Sequence, residues 1–482
     1  MTRQIALSLL VLLAACAAPQ PQTPPAREAA AADDHFDIRI AVKGVDTDTA
    51  YLAYYLGETQ YLKDTTVRQG EYFVFQGDTA LPVGMYLIVF PPANRYFDFI
   101  VSGDQTFTLR TDTTDFGGMM QVEGSEDNQV FYDHIQYLAD KRREVEALNT
   151  QLEGLAENSP EAAALRQQLD DLNKTVMAER KHLRADRGDL LGVRILVGTD
   201  APEVPEAPEG ADQYFAYRYY KTHFFDQVSL SDEGLMRSPI LSRKIDEYLE
   251  RLTAQHPDSL IPAVDSLLAW SRPNQETFKY MLSSLLNRYA KKANEIMGMD
   301  GVYLHIVEKY YAAGQAWWLD PEQLEELIGK AEQLSPVIIG KPALDFSVPE
   351  ANGRTTNLYS VKGDWIILYF WDYDCGRCKT VTPQLAKLYP RYKDRGVALF
   401  TVNINGSQAA WMKKLEEYGL TAAGGIHTSD PTRQSGFDEK YNINSTPKVF
   451  ILDKDKIIRY KWIGVDQIAE ILDRELSAMP GK

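Results

Sequence analysis

A Cys-x-x-Cys pair at the end of an apolar run constrains this chain more than any other feature. Trp365-Ile366-Ile367-Leu368-Tyr369-Phe370 is continuous and apolar, with the length and the β-branched and aromatic content of a buried strand. Trp371-Asp372-Tyr373-Asp374-Cys375-Gly376-Arg377-Cys378-Lys379 follows it, and Leu385 and Leu388 then share one face of a helical pattern. The pair therefore falls where a central strand hands over to a helix N-terminus. Unpaired N–H groups and the helix dipole favour a thiolate there. Two intervening residues let both sulfurs come within bonding distance across one turn. Cys375, at the exposed end, is the natural nucleophile, and Cys378, one turn in, is placed to resolve a mixed disulfide. Arg377 adds a positive charge that favours the Cys375 thiolate, and Asp372 and Asp374 oppose it.

Other chemistries fit poorly. The chain has three cysteines in 482 residues, and the third is Cys16. A zinc site would need two further Cys or His at ligand spacing, and His427 stands alone. A purely structural disulfide would close a four-residue loop and constrain the unfolded chain little. His305, in Leu304-His305-Ile306-Val307-Glu308, has no second His nearby and reads as a satisfied histidine. No dinucleotide, Walker or nucleophile-elbow pattern occurs, so neither a metal nor a cofactor is expected. A net charge of −17 argues against nucleic acid as a partner.

The N-terminus carries one positive charge at Arg3, an apolar run from Ile5 to Leu13, and then Ala14-Ala15-Cys16. This describes a secretory signal too short to span a bilayer comfortably. Leu13-Ala14-Ala15-Cys16 resembles the bacterial lipobox, which implies cleavage before Cys16 and its lipidation. Ala17 replaces the Asp of the usual inner-membrane retention signal, which favours the outer membrane over the inner. The dithiol is then expected to work in the periplasm.

Six segments are expected. Residues 1–15 are the signal peptide, and 16–34, rich in Ala, Pro and Gln, a lipidated tether. Residues 35–124 carry short strand signals separated by turns and predict an all-β sandwich. They include Phe36-Ile38-Ile40-Val42, Tyr72–Phe75, Met85–Phe90, Phe97–Val101 and Phe107–Leu109. Residues 125–198 change to a helical period. Ile135, Leu138, Val145, Leu148, Leu152, Leu155 and then Leu165, Leu169, Leu172, Val176, Leu183 frame a break at Asn158-Ser159-Pro160. That is a helical hairpin of coiled-coil character, either a spacer or a dimerising surface. Residues 199–335 predict a helical domain punctuated by prolines. Residues 336–482 alternate strands with helices and end on a strand hairpin and a helix, an α/β domain.

The last segment resembles the thioredoxin fold of the TlpA/ResA class. The resemblance rests on Gly340-Lys341-Pro342-Ala343, on Phe370-Trp371 with Cys375-Gly376-Arg377-Cys378-Lys379, on Pro383, and on Ser445-Thr446-Pro447. It implies a cis peptide at Pro447 beside the cysteines, substrate backbone pairing at Thr446, a helix kink at Pro383, and a substrate-flanking aromatic at Trp371. Gly376 and Arg377 would tune the potential. Two departures stand out. Thioredoxin has a buried Asp where this chain has Tyr369, and ResA-like proteins have a Glu where this chain has Val381, so the resemblance names no proton acceptor. Over nearly its full length the chain also resembles Bacteroidota lipoproteins that join a lipobox, a β-sandwich, a helical region and a TlpA-like domain. Ile296-Met297-Gly298-Met299-Asp300 through Tyr310-Tyr311 carries the helical part of that likeness.

The expectation is a membrane-anchored envelope thiol–disulfide oxidoreductase that reduces protein or peptide disulfides and is recharged by a membrane or periplasmic electron donor. A homodimer through the hairpin is one reading of the stripe. The alternative is an envelope binding or scaffold protein whose thioredoxin domain docks peptides without redox turnover.

Overall fold

A computed structural model describes residues 34–478. The signal peptide, most of the tether and Cys16 lie outside them. The chain folds as two compact units. One gathers residues up to Leu252 with Ala269–Phe278, and the other gathers Thr253–Leu268 with the chain from Lys279 onward.

The first unit opens with eight strands: β1 Phe36–Lys43, β2 Thr49–Leu56, β3 Thr59–Val67, β4 Tyr72–Gly77, β5 Gly84–Phe90, β6 Arg95–Val101, β7 Thr106–Asp112 and β8 Gln121–Glu123. They form two four-stranded sheets ordered β4-β1-β7-β8 and β3-β2-β5-β6. Alternation along β1 buries Phe36, Ile38, Ile40 and Val42. Phe73, Phe75, Leu52, Ile88 and Phe99 fill the same all-β core. Strand β3 is exposed along almost its whole length, so it carries no apolar alternation by which a sequence could announce it.

Helices α1 Glu126–Leu152 and α2 Pro160–Arg187 make the hairpin. Ser125 and Ser159 cap them, accepting from Asn128 N and Ala162 N, and Pro160 opens α2. Asn128 docks α1 on the sheet by imitating a strand neighbour. Its Oδ1 accepts from Ile100 N at 2.8 Å and its Nδ2 donates to Ile100 O at 2.7 Å. The buried residues of α1 all lie in its first turns, and α2 buries only Ala162. Further along, the apolar stripe is half-buried, because two helices facing only each other cover one side of it. The helices that follow are α3 Leu191–Val197, α4 Phe215–Thr222, α5 Glu233–Met236, α6 Pro239–Glu250, α7 Pro257–Ser271 and α8 Gln275–Glu295.

The second unit includes α9 Met299–Ile306, a π-helical turn Val307–Tyr311 and α10 Pro321–Leu334. Asp265 gathers this region, accepting from His305 Nε2 at 2.8 Å, Lys309 Nζ at 2.7 Å and Tyr310 OH at 2.8 Å. His305 is thus a hydrogen-bonded structural residue. The α/β part follows: β9 Ser347–Pro349, β10 Thr355–Asn357, β11 Trp365–Trp371, α11 Gly376–Leu388, β12 Val397–Asn403, α12 Gln408–Glu417, α13 Leu420–Ala423, β13 Ile426–Ser429, α14 Phe437–Lys440, β14 Lys448–Asp453, β15 Ile458–Lys461 and α15 Val465–Ala478. Five strands form one sheet ordered β13-β12-β11-β14-β15. β11, β12 and β13 run parallel, while β14 is antiparallel to β11 and β15 to β14.

β11 is buried on both faces, which explains its unbroken apolar run. Trp365, Ile367, Tyr369 and Trp371 face a layer built from α11, α12, α13 and α15. Ile366, Leu368 and Phe370 face the layer that holds Phe346, Phe437 and Tyr441. The architecture is therefore N-terminal sheets, a helical middle and a C-terminal thioredoxin-like α/β domain.

Candidate active site

Cys375 stands at the N-cap of α11, with φ −64° and ψ 126°, between strand and helix. Its amide donates to Asp372 O at 3.2 Å, and its carbonyl accepts from Lys379 N at 3.0 Å. The turn is fixed further by Asp372, whose Oδ1 accepts from Asp374 N at 2.8 Å and whose Oδ2 accepts from Asn405 Nδ2 at 3.1 Å. Both cysteines are free thiols. Cys375 is partly exposed and Cys378 is fully buried.

The loop before β14 closes the site from the other side. The Thr446–Pro447 peptide is cis, and the Cys375 thiol donates to Thr446 O at 3.4 Å. Thr446 and Pro447 are both partly exposed, so this backbone edge is open beside the Cys375 sulfur.

The two thiols are driven apart electrostatically. Burial works upward on Cys375. Against it act the Cys378 N–H, the Thr446 hydroxyl, the Cys378 thiol and the Arg377 N–H, and together they hold Cys375 below the ordinary thiol value. Cys378 is pushed up to about 12, mainly by burial, and secondarily by its hydrogen bond to Cys375 and the charge there. An accessible thiol that ionises easily beside a buried one that does not is the order needed for attack followed by resolution.

Arg377 contributes through its backbone N–H and its side chain points to solvent. Asp374 is held below the usual carboxylate range by its hydrogen bond and charge pairing with Lys379, at 2.8 Å. Gly376 faces open space, so no neighbour demands a glycine there. The glycine that matters sterically is Gly406, at φ +80°, where a Cβ would fall on the Tyr373 ring. Pro383 lies inside α11.

Trp371 corrects an expectation. It has no exposed surface and so cannot flank a docked substrate. The cause is strand parity: as the last residue of β11 it points the same way as Tyr369 and Ile367, into the helix-covered layer. Its ring stacks on Tyr369 at 6.4 Å and meets Tyr418 at 6.1 Å. Tyr373, two residues on and partly exposed, is the aromatic beside Cys375.

Of two buried hydroxyls in the layer of Cys378, the sequence registered Tyr369 only as a missing acid and did not register Thr382. Tyr369 OH and Thr382 Oγ1 lie 2.8 Å apart. The same parity that buries Trp371 aims Tyr369 at α11, and Thr382 sits four residues after Cys378, on its helix face. Those two spacings were the available signal. Among the described residues no cluster of His, Cys, Asp or Glu has the makings of a metal site.

Comparison with known proteins gives the following. Residues 339–461 match the AhpC/TSA family, 158–335 match the Domain of unknown function (DUF5106), and 36–131 the Domain of unknown function (DUF4369). Thiol-disulfide oxidoreductase ResA of Geobacillus kaustophilus (strain HTA426) is 28% identical over 143 residues, 30% of this chain and 79% of its own. The protein of the same name from a strain of Bacillus cereus is 30% identical over 135 residues, 28% of this chain and 75% of its own. Among solved structures, a domain of a possible thiol-disulfide isomerase from Cytophaga hutchinsonii is 28% identical, covering 30% of this chain and 97% of that one, with a TM-score of 0.28. A thioredoxin-like protein from Bacteroides caccae is 18% identical, covering 57% of this chain and 98% of that one, with a TM-score of 0.43.

Proposed function

Since the chain belongs to the ResA-like family of thiol–disulfide oxidoreductases, we propose that it is an envelope reductase of protein disulfides, with Cys375 attacking and Cys378 resolving. The observation that carries this reading is the asymmetry of the two thiols, one accessible with a lowered pKa, the other buried with a raised one. The Cys375 thiolate attacks one sulfur of a substrate disulfide, and the other substrate sulfur leaves and takes a proton. The Cys378 sulfur then attacks Cys375, the mixed disulfide breaks, and the second substrate sulfur leaves as a thiol. Two electrons and two protons pass from the enzyme dithiol to the substrate. A dithiol electron donor restores the pair by the reverse exchange. The open backbone at Thr446, next to Pro447, is where an extended substrate segment would pair, a β-type addition that reads chain rather than side chains.

Leu13-Ala14-Ala15-Cys16 supports anchoring through an acylated Cys16, with the residues up to 34 as tether, and Ala17 supports the outer membrane. Among the described residues no helix is long and apolar enough to cross a membrane. The half-buried stripe of α1 and α2 supports a homodimer through the hairpin. Deleting residues 126–196 is then expected to halve the mass seen by light scattering beyond the loss of the segment itself. An unchanged oligomeric state would remove the hairpin from the interface.

The central test is reduction of insulin by the full chain with excess small dithiol, compared with Cys375→Ser. Turnover is expected to fall to the uncatalysed rate in the variant. Equal rates would refute the reading.

A further inference from the structure

We propose that the Tyr369 hydroxyl, backed by Thr382, steadies the Cys378 thiolate as it forms during resolution, a role that rests on the Cys375–Cys378 reaction above. Tyr369 and Thr382 are fully buried, with their oxygens 2.8 Å apart. Cys378 is equally buried in the same layer, one helical turn before Thr382, and its thiol is among the groups that raise the Tyr369 phenol. Phenol, threonine hydroxyl and thiol thus share one region closed off from solvent, and can be linked in two settings. With Cys378 protonated, the thiol donates to the phenol oxygen and the phenol donates to Thr382. With Cys378 ionised, the phenol proton turns to the sulfur and Thr382 donates to the phenol oxygen. Only two O–H bonds rotate between the settings.

Tyr369 acts as a donor and never as the base. Burial, with the neighbouring thiols adding to it, holds its phenol far above the ordinary value. The proton lost by Cys378 therefore goes to the departing substrate sulfur, directly or through water. As the Cys375–substrate bond breaks and the Cys375–Cys378 bond forms, charge passes through the Cys378 sulfur and onto the leaving group, so the count of protons and electrons closes.

The two carboxylates that flank the dithiol are engaged elsewhere. Asp374 is paired with Lys379, and Asp372 is occupied by the Asp374 amide and Asn405. The other titratable groups of this apolar layer are Cys375 and the phenols of Tyr373, Tyr389, Tyr392, Tyr418 and Tyr460. β14 presents Val449 and Ile451, α12 presents Trp411 and Leu415, α13 presents Leu420, and α15 presents Ile468 and Leu472. The Asp372 backbone and the Thr446 hydroxyl already work downward on Cys378, and a dipole that reorients is what Tyr369 adds for an emerging thiolate.

The test uses a chromogenic aromatic disulfide, bis(3-carboxy-4-nitrophenyl) disulfide, added to the reduced full chain. The first coloured thiolate appears when Cys375 attacks, the second when Cys378 displaces it. Tyr369→Phe keeps the ring and its packing. It is expected to leave the first release within about twofold and to slow the second roughly tenfold or more, the scale of a hydrogen bond to a charged group. The pH of half-maximal second release should move upward. Thr382→Val should act in the same direction but less. A second release unmoved in Tyr369→Phe, or both releases slowed alike, would overturn the proposal. Absence of the first release in the parent protein would instead overturn the functional reading beneath it.

Discussion

Mixed with a protein disulfide, the Cys378→Ser variant is expected to stop halfway, held covalently to its substrate through Cys375. The serine fits the small buried site but cannot displace a sulfur, so the mixed disulfide accumulates toward one per protein. Non-reducing electrophoresis and intact mass would show the adduct, and excess dithiol would release it. Turnover should fall by orders of magnitude, while the first attack proceeds. The pH dependence of trapping follows from Cys375. Its thiol lies below the ordinary value, because the N–H groups at the start of α11 and the Thr446 hydroxyl outweigh burial. As pH falls, the thiolate fraction of Cys375 therefore stays higher than that of an ordinary thiol, whose value is about 8.5. Trapping should follow that lower midpoint. A midpoint at or above the free-thiol value, or no adduct at any pH, would contradict the assignment of Cys375 as nucleophile.

Asp300→Ala is expected to be the most damaging substitution away from the dithiol. Lys461, on β15, donates to Asp300, at the start of α9, and each side chain is only 2% exposed. Lys461 also lies over the Trp462 ring at 4.5 Å, and Lys448 lies over the same ring at 4.4 Å. Burial, and then the charge of Lys461, push Lys448 down to about 8. Removing Asp300 would leave a buried ammonium with a second one across an indole. Breaking such a pair by deleting one member costs about 3–5 kcal/mol. Denaturant unfolding and amide exchange in β14 and β15 would measure it. Asp300→Leu combined with Lys461→Met should recover most of the loss, because removing both charges removes the desolvation cost as well. A loss below about 1 kcal/mol for Asp300→Ala would mean that water reaches the pair.

What the sequence made legible follows the range of the interactions. The dithiol is a local feature, a strand, a turn and a helix start, and its residues announce it. The hairpin is periodic, and Ser159-Pro160 marks its turn by local capping chemistry. Two kinds of information were out of reach. Strand β3 is exposed on both faces, so nothing in its pattern distinguishes it from a loop. The helical stretch between 199 and 335 looks uniform in composition, yet contacts assign parts of α7 and α8 to each of the two units. Contacts between helices distant in sequence decide that division, and apolar periodicity does not name its partner. Around the site, family likeness put Trp371 against the substrate, where alternation along β11 already buried it. The same likeness registered Tyr369 only as a missing acid. Parity in the strand, together with the four-residue step from Cys378 to Thr382, shows what stands there in its place.

The hairpin carries a consequence of a different kind. Only the first turns of α1 are fixed by the sheets, through Asn128 and its neighbours. At 27 residues, α1 is about 40 Å long at 1.5 Å per residue. On α2 the root reaches back to Arg180, which with Arg184 pairs with Asp200; toward the tip the stripe of each arm is only half-buried. The length of an arm is therefore not dictated by the core. Matched gains or losses of seven residues in both arms would preserve the seam and leave the root unchanged. Reach is thus a dimension that selection can alter in increments, independently of the sheets that carry it and of the chemistry at Cys375.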